Sequence, residues 1–150
     1  MISGIDTTAG LVISPAKAIS ITAALKRAGV KKGEEGRNGR IGYTTLTEGF
    51  YVEALDKDYV PVYGYRNGKK STRPTSWKVR NKKDTRFRVK YEAFSTSDQR
   101  GWRDESYRLD TIAKANRAFE TILTTLAHEG YRCEVDFSNQ AVVVIGKVEF

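Results

Sequence analysis

The period of apolar and polar positions changes three times along the chain. Residues 15–28 carry apolar side chains at helical spacing, which predicts a short N-terminal helix. Ser14 is its expected N-cap, Pro15 its first helical residue, and Gly29 the residue after its last turn that adopts a left-handed conformation. Residues 30–40 hold three glycines and mixed charges without a period, so they are interpreted as a flexible connector.

From residue 41 the period becomes two, and β-branched and aromatic residues alternate with polar ones between turn signals. The pattern predicts an antiparallel meander of five strands at 41–46, 48–55, 59–65, 70–80 and 85–94. Asn67-Gly68 is typical of a type I′ hairpin and would place Tyr65 opposite Lys70. In the third strand, Val60 and Val62 are expected to face inward.

A second, long helix is predicted over about 104–129, with Gly130 as the residue after its end. One apolar stripe is expected along it, formed by Leu109, Ile112, Phe119, Leu123 and Leu126. Residues 131–137 then alternate, with Tyr131, Cys133, Val135 and Phe137 on the apolar side. Residues 141–145 are all apolar, which favours a final strand that is central or covered on both faces.

Together these elements predict a single α+β domain over residues 1–150. Its mostly antiparallel sheet consists of the five-strand meander and a C-terminal hairpin, and both helices cover the apolar face of that sheet. Because no apolar run approaches the roughly 18–20 residues that cross a bilayer, no membrane span is expected. The N-terminus lacks a signal-peptide pattern, so a cytoplasmic location is expected.

The candidate chemistry is sparse. A lone cysteine, Cys133, excludes an internal disulfide, and with a single histidine, His128, the chain has too few ligands for a usual zinc site. No phosphate-binding glycine motif is present, and no cofactor or metal is expected. Most enzyme classes are therefore disfavoured.

Charge is the informative signal, because it is concentrated in one part of the chain. Lys and Arg number 26 against 18 Asp and Glu, a net charge of +8. Residues 61–103 alone hold 13 basic and 3 acidic residues, a net charge of +10. Between Arg66 and Lys90 the only acid is Asp84. Such a density repels itself, so it indicates an anionic partner.

Alternation predicts which face of the sheet carries this charge. Phe87, Val89 and Tyr91 are expected in the core, with Arg86, Arg88 and Lys90 exposed on the opposite face. The preceding strand repeats the pattern with Lys78 and Arg80 on the exposed face, and the two patterns agree if Arg80 lies opposite Arg86. Like charges directly opposed are destabilising, which a bound phosphate backbone would relieve.

The sequence thus predicts a small, non-enzymatic protein that binds DNA or RNA through the phosphate backbone. Its predicted contact residues are Arg66, Lys69, Lys70, Arg73, Lys78, Arg80, Lys82, Lys83, Arg86, Arg88, Lys90, Arg100, Trp102 and Arg103. Three tyrosines beside these cations are candidates for stacking on bases, namely Tyr59, Tyr63 and Tyr65.

Other interpretations of the charge remain open. A protein-binding module, such as an inhibitor or adaptor, would dock the same basic face on an acidic protein surface, and anionic lipid headgroups or a simply solvated face satisfy the same electrostatics. A metal-dependent nuclease would need convergent carboxylates, and Glu48, Glu53, Asp56 and Asp58 are close in sequence; Asp56 to Asp58 is more simply a turn. Small basic α+β chains without motifs are frequent in phages and mobile elements, which is an association only.

Overall fold

The computed structural model describes residues 12–38, 43–66, 69–74, 85–93 and 105–149 and confirms the α+β class. Its two helices are α1 (Ala18–Arg27) and α2 (Glu105–His128). The nine strands in these residues are β1 (Val12–Ser14), β2 (Glu35–Asn38), β3 (Tyr43–Leu46), β4 (Gly49–Leu55), β5 (Tyr63–Arg66), β6 (Lys69–Pro74), β7 (Arg86–Glu92), β8 (Tyr131–Asp136) and β9 (Ala141–Glu149).

The main sheet is antiparallel, but it is not the predicted meander. Its four longer strands lie in the order β4, β7, β9 and β8, and the short β1 pairs with the far end of β9. β7 pairs with β4, whereas β5 and β6 form a separate hairpin between them in sequence. The meander was wrong because alternation determines which side of a strand is buried and not which strand lies beside it.

β9 is the central strand, as its apolar run indicates. Residues 141–147 pair with β8 along one edge, while on the other edge β9 pairs with β7 at Val142–Val144 and with β1 at Lys147–Glu149. Residues 141–144 are all buried. The predicted C-terminal hairpin is confirmed by the pairing of β8 with β9.

Both helices lie against one face of the sheet, where the core forms. Ile21 and Leu25 of α1 and Ile122 and Leu126 of α2 are buried against strand residues that include Phe87. Phe119 and Leu123 are partly buried against the same core. The predicted stripe fails at its beginning, since Leu109 and Ile112 are 59% and 56% exposed. The first turns of α2 therefore extend past the described part of the core.

Three local predictions at the N-terminal helix meet different outcomes. Ser14 belongs to β1 and its hydroxyl donates to the Lys147 carbonyl, so Lys17 is the N-cap and the predicted cap is wrong. The helix ends as expected, with Gly29 at φ +84°. The segment interpreted as a connector contains β2, which pairs with β3.

The outer edge of β4 is covered by two short segments. The Phe50 N–H donates to the Lys31 carbonyl and the Gly33 N–H donates to the Phe50 carbonyl. Further along, the Val62 N–H donates to the Ala54 carbonyl. In the part of the chain that the structure describes, no helix is both long and apolar enough to cross a bilayer.

Candidate nucleic-acid interface

β7 presents its charged residues on the face of the sheet opposite the helices. Phe87 and Val89 are buried against the helices, as predicted, and Tyr91 is half-buried. Arg86, Arg88 and Lys90 alternate with them and are half-buried rather than exposed. Their partners on β4 lie directly opposite in register, which determines what each cation meets.

Arg88 forms an ion pair with the β4 residue opposite it. Its Nε donates to Oε1 of Glu53 at 3.0 Å. The Glu53 side chain is only 5% exposed and that of Arg88 17%. Because a buried carboxylate needs a cation or donor, Arg88 has a structural partner within the sheet.

Arg86 is held by the turn that follows β4. Its guanidinium lies 4.9 Å from the centroid of the Tyr59 ring, and one of its nitrogens donates to the Lys57 carbonyl at 3.0 Å. The Tyr59 hydroxyl in turn donates to Oε2 of Glu134 on β8 at 2.9 Å. Burial, and after it the bond to Glu134, raise the pKa of Tyr59.

The expectation that Arg86, Arg88 and Lys90 are exposed is therefore corrected. Carboxylates from β4 and β8, Glu53 and Glu134, lie among the cations of β7, so the face is a mixed charge network. These acids were not predicted to lie here, because they are far from β7 along the chain. One signal was present: Glu53 is a single charged residue within the otherwise uncharged strand Gly49–Leu55.

The β5–β6 hairpin holds a second group of the predicted basic residues. Its register places Arg66 opposite Lys69 and Tyr65 opposite Lys70, which confirms the pairing expected from Asn67-Gly68. Arg73 lies further along β6, one residue before Pro74, which pairs with Tyr63. Residues 63–74 contain four basic residues and no acid in their sequence. Positive charge is therefore concentrated on this hairpin.

The remaining predicted contacts lie outside the described residues. They are Lys78, Arg80, Lys82, Lys83, Arg100, Trp102 and Arg103. The predicted register of Arg80 opposite Arg86 stays a prediction for the same reason.

The three candidate tyrosines differ in position. Tyr59 lies in the turn after β4, not on a strand, with 43% of its surface exposed and a left-handed φ of +66°. A bulky residue in this conformation stores roughly 1–2 kcal/mol of strain. Tyr63 begins β5 and is half-buried, and Tyr65 follows in the hairpin. Val60, predicted to face inward, is 53% exposed.

Among the carboxylates that a nuclease site would need, those of Glu48, Glu53 and Asp56 each accept a hydrogen bond. Asp56 Oδ1 accepts from the N–H groups of Asp58 and Val60, as a turn requires. Glu48 accepts from Lys114 Nζ and from the Tyr91 hydroxyl, both at 2.9 Å. Across the described ranges, no three His, Cys, Asp or Glu side chains are grouped so that they could hold a metal ion.

The network at Glu48 joins α2 to the sheet and shifts two pKa values. Burial acts to raise the pKa of Glu48, but the hydrogen bonds from Lys114 and Tyr91 outweigh it, and the pKa falls below its ordinary value of 4.5. Burial, followed by the bond to Glu48, raises the pKa of Tyr91 to about 12. Lys114 is therefore a structural cation.

Two predictions about β8 have opposite outcomes. Cys133 is buried among core residues, and this burial raises the pKa of its thiol to about 12, so it is a small core residue as expected. Phe137, predicted on the same apolar side, is 62% exposed because it lies in the turn after β8.

Comparisons with known proteins add no functional information. The chain matches no protein-family model, no curated protein sequence and no solved structure.

Proposed function

We propose that this protein binds nucleic acid, without catalysing a reaction, through phosphate contacts made by the β5–β6 hairpin. The observation that supports this proposal is the register of the hairpin, in which Arg66 lies opposite Lys69, next to Lys70. Like charges at directly opposed positions destabilise a two-stranded ribbon, and phosphate groups bound between them would relieve the repulsion.

The phosphate contacts are proposed on the β5–β6 hairpin rather than on the cations of β7. Arg88 forms an ion pair with Glu53, and Arg86 donates a hydrogen bond to the turn that contains Tyr59. Neither is therefore proposed as a main phosphate contact. The hairpin has no acid in its own sequence, and it stands within the segment that carries a net charge of +10. Its contacts are to the backbone of the nucleic acid, so affinity should depend little on base sequence.

The test measures fluorescence anisotropy of labelled DNA and RNA, each single-stranded and duplex, against salt concentration. The variant is Arg66→Glu with Lys69→Glu, and the matched control is Lys17→Glu with Arg117→Glu, two exposed cations on α1's N-cap and on α2. Both pairs lower the net charge equally. If the hairpin neutralises three or four phosphates, the slope of log K against log salt on duplex DNA is about −3, and the hairpin variant flattens it by about 2.

Two outcomes would refute the proposal. One is the absence of measurable affinity of the unaltered protein for any of these nucleic acids at about 50 mM salt. The other is an equal loss in both variants, which would show that total charge rather than the hairpin determines binding.

A protein-binding module that docks an acidic partner is the second candidate. The observation that favours it is the pair Leu109 and Ile112, which lie three residues apart on the same side of α2 and are both more than half exposed. Exposed apolar residues on one side of a helix are typical of protein contacts. If the nucleic-acid proposal fails, this candidate takes its place, with the hairpin supplying the complementary charge.

A further inference from the structure

Tyr59 is held in place by four separate constraints, although almost half of its surface is exposed. Asp56 Oδ1 accepts from the N–H groups on either side of Tyr59, those of Asp58 and Val60. The Tyr59 N–H donates to the Asp56 carbonyl. Arg86 lies over the ring and the hydroxyl is bonded to Glu134. A ring that is already held in one orientation loses little conformational entropy when it binds a ligand.

The backbone of Tyr59 has a left-handed conformation, which a tyrosine rarely adopts. Its φ of +66° is a conformation in which glycine or asparagine is unstrained. A tyrosine at this position is unfavourable for the turn alone, and strained residues of this kind occur where surrounding structure imposes a particular geometry. The ring and its neighbour Val60, which is 53% exposed, form a small apolar surface.

We propose that Tyr59 is a stacking platform for an unpaired base and that the protein therefore prefers single-stranded to duplex nucleic acid. This inference rests on the proposed function. Arg86 lies over the ring, and 43% of the residue's surface is still exposed, so the ring is accessible to a base. A base within a duplex is already stacked on both sides, so only an unpaired base can lie on Tyr59.

The charges around Tyr59 fit a polynucleotide strand. Arg86 adjoins the ring, Lys57 is exposed two residues earlier, and the basic hairpin begins four residues later at Tyr63. Glu134 would repel a phosphate, but its carboxylate accepts a hydrogen bond from the Tyr59 hydroxyl and so lies at the hydroxyl end of the ring. One continuous nucleic-acid strand would then contact the hairpin through its phosphates and Tyr59 through a base.

The experiment compares Tyr59→Leu with Tyr59→Phe, using oligothymidylate and oligouridylate of about 20 nucleotides and a mixed-sequence duplex as probes. Leucine removes the aromatic face, while phenylalanine keeps it and loses only the hydrogen bonds of the hydroxyl with Glu134 and Arg86. Tyr59→Leu should weaken single-strand binding by about 5- to 100-fold and leave duplex binding unchanged. Tyr59→Phe should stay within about threefold of the unaltered protein on all probes. Comparison of the DNA and RNA arms identifies which strand is preferred.

A second measurement uses the unaltered protein, so it stands even if a variant does not fold. Oligothymidylate carrying 5-iodouracil is irradiated with the protein, and the cross-linked residue is identified by mass spectrometry. A cross-link at Tyr59 supports the proposal. Cross-links confined to other residues, equal affinity for single strands and duplex, or equal losses in both Tyr59 variants would overturn it. In each case measurable binding still stands, whereas no binding to any probe would instead refute the proposed function.

Discussion

Replacement of Arg88 by alanine tests whether this cation is a structural partner or a free phosphate contact. In the structure its Nε lies 3.0 Å from Glu53 Oε1, and the two side chains are 17% and 5% exposed. Arg88→Ala would leave the Glu53 carboxylate buried without this partner. Loss of one member of a buried ion pair costs about 3–5 kcal/mol of unfolding free energy. Because Arg88 retains some solvent contact, the lower end, about 3 kcal/mol, is expected.

This loss is measured by urea unfolding followed by circular dichroism. For a chain of this size, about 3 kcal/mol corresponds to a fall in Tm of roughly 6–12 °C. Lys90→Ala is the matched control, because it removes a positive charge two residues along the same strand and on the same face, and it should cost less than about 1 kcal/mol.

A double-mutant cycle isolates the pair from the effects of each residue alone. The cycle consists of Glu53→Leu, Arg88→Met and the double variant. The double variant replaces both charges by apolar side chains, and buried pairs replaced in this way are often neutral in stability. We therefore expect the double variant to be more stable than Arg88→Ala, with a coupling energy of about 2 kcal/mol. A coupling energy under about 0.5 kcal/mol, or equal losses in Arg88→Ala and Lys90→Ala, would refute the assignment of Arg88 to Glu53.

Three further predictions concern the core and the sheet. Leu126→Ala, at a fully buried position, should cost about 2–5 kcal/mol in urea unfolding, whereas Leu109→Ala should change stability by less than about 0.5 kcal/mol; equal effects would contradict the packing of α2. Because burial raises the pKa of Cys133 to about 12, iodoacetamide should label it at pH 8 only after unfolding, and rapid labelling of the native protein would disagree. Because the pKa of Glu48 is lowered in the folded protein, this residue contributes stability above its unfolded pKa, and that stability is lost as pH falls through its folded pKa. Glu48→Gln should therefore reduce the fall in Tm below pH 4.5. An unchanged fall in Tm would contradict this role of Glu48.

Local features of the fold follow from neighbouring residues and are predictable from sequence. Alternation predicted Phe87 and Val89 in the core, and the Asn67-Gly68 sequence predicted Tyr65 opposite Lys70, where the structure has it. Pairing between distant segments is different. Nothing in β7 indicates that Glu53 lies beside Arg88, since the partner is 35 residues away and the intervening chain forms its own hairpin. The charge of a residue can be read from the sequence, but the residue that neutralises it depends on the fold. For that reason the proposed phosphate contacts moved from β7 to the β5–β6 hairpin.

The exposed beginning of α2 shows the same distinction. Leu109 and Ile112 continue the helical spacing of Leu126, so the sequence assigns them to one stripe. Whether a stripe is buried depends on how far the sheet beneath it extends, and the strands under α2 contact only part of its length. Periodicity therefore predicts a helix and its apolar side, while the extent of burial is set by the tertiary arrangement.

The central position of β9 has a consequence for how the protein is made. In the order of the chain, β1, β7 and β8 are all synthesised before residues 141–149, yet each pairs with β9. Val142 and Val144 fill the middle of the core, so the earlier segments leave apolar surface uncovered until these residues leave the ribosome. Pairing of Val12 with Glu149 also closes most of the chain into one loop. The main sheet should therefore form late, in one slow step after β9 has left the ribosome, and a nascent chain stalled before β9 should be a substrate for chaperones.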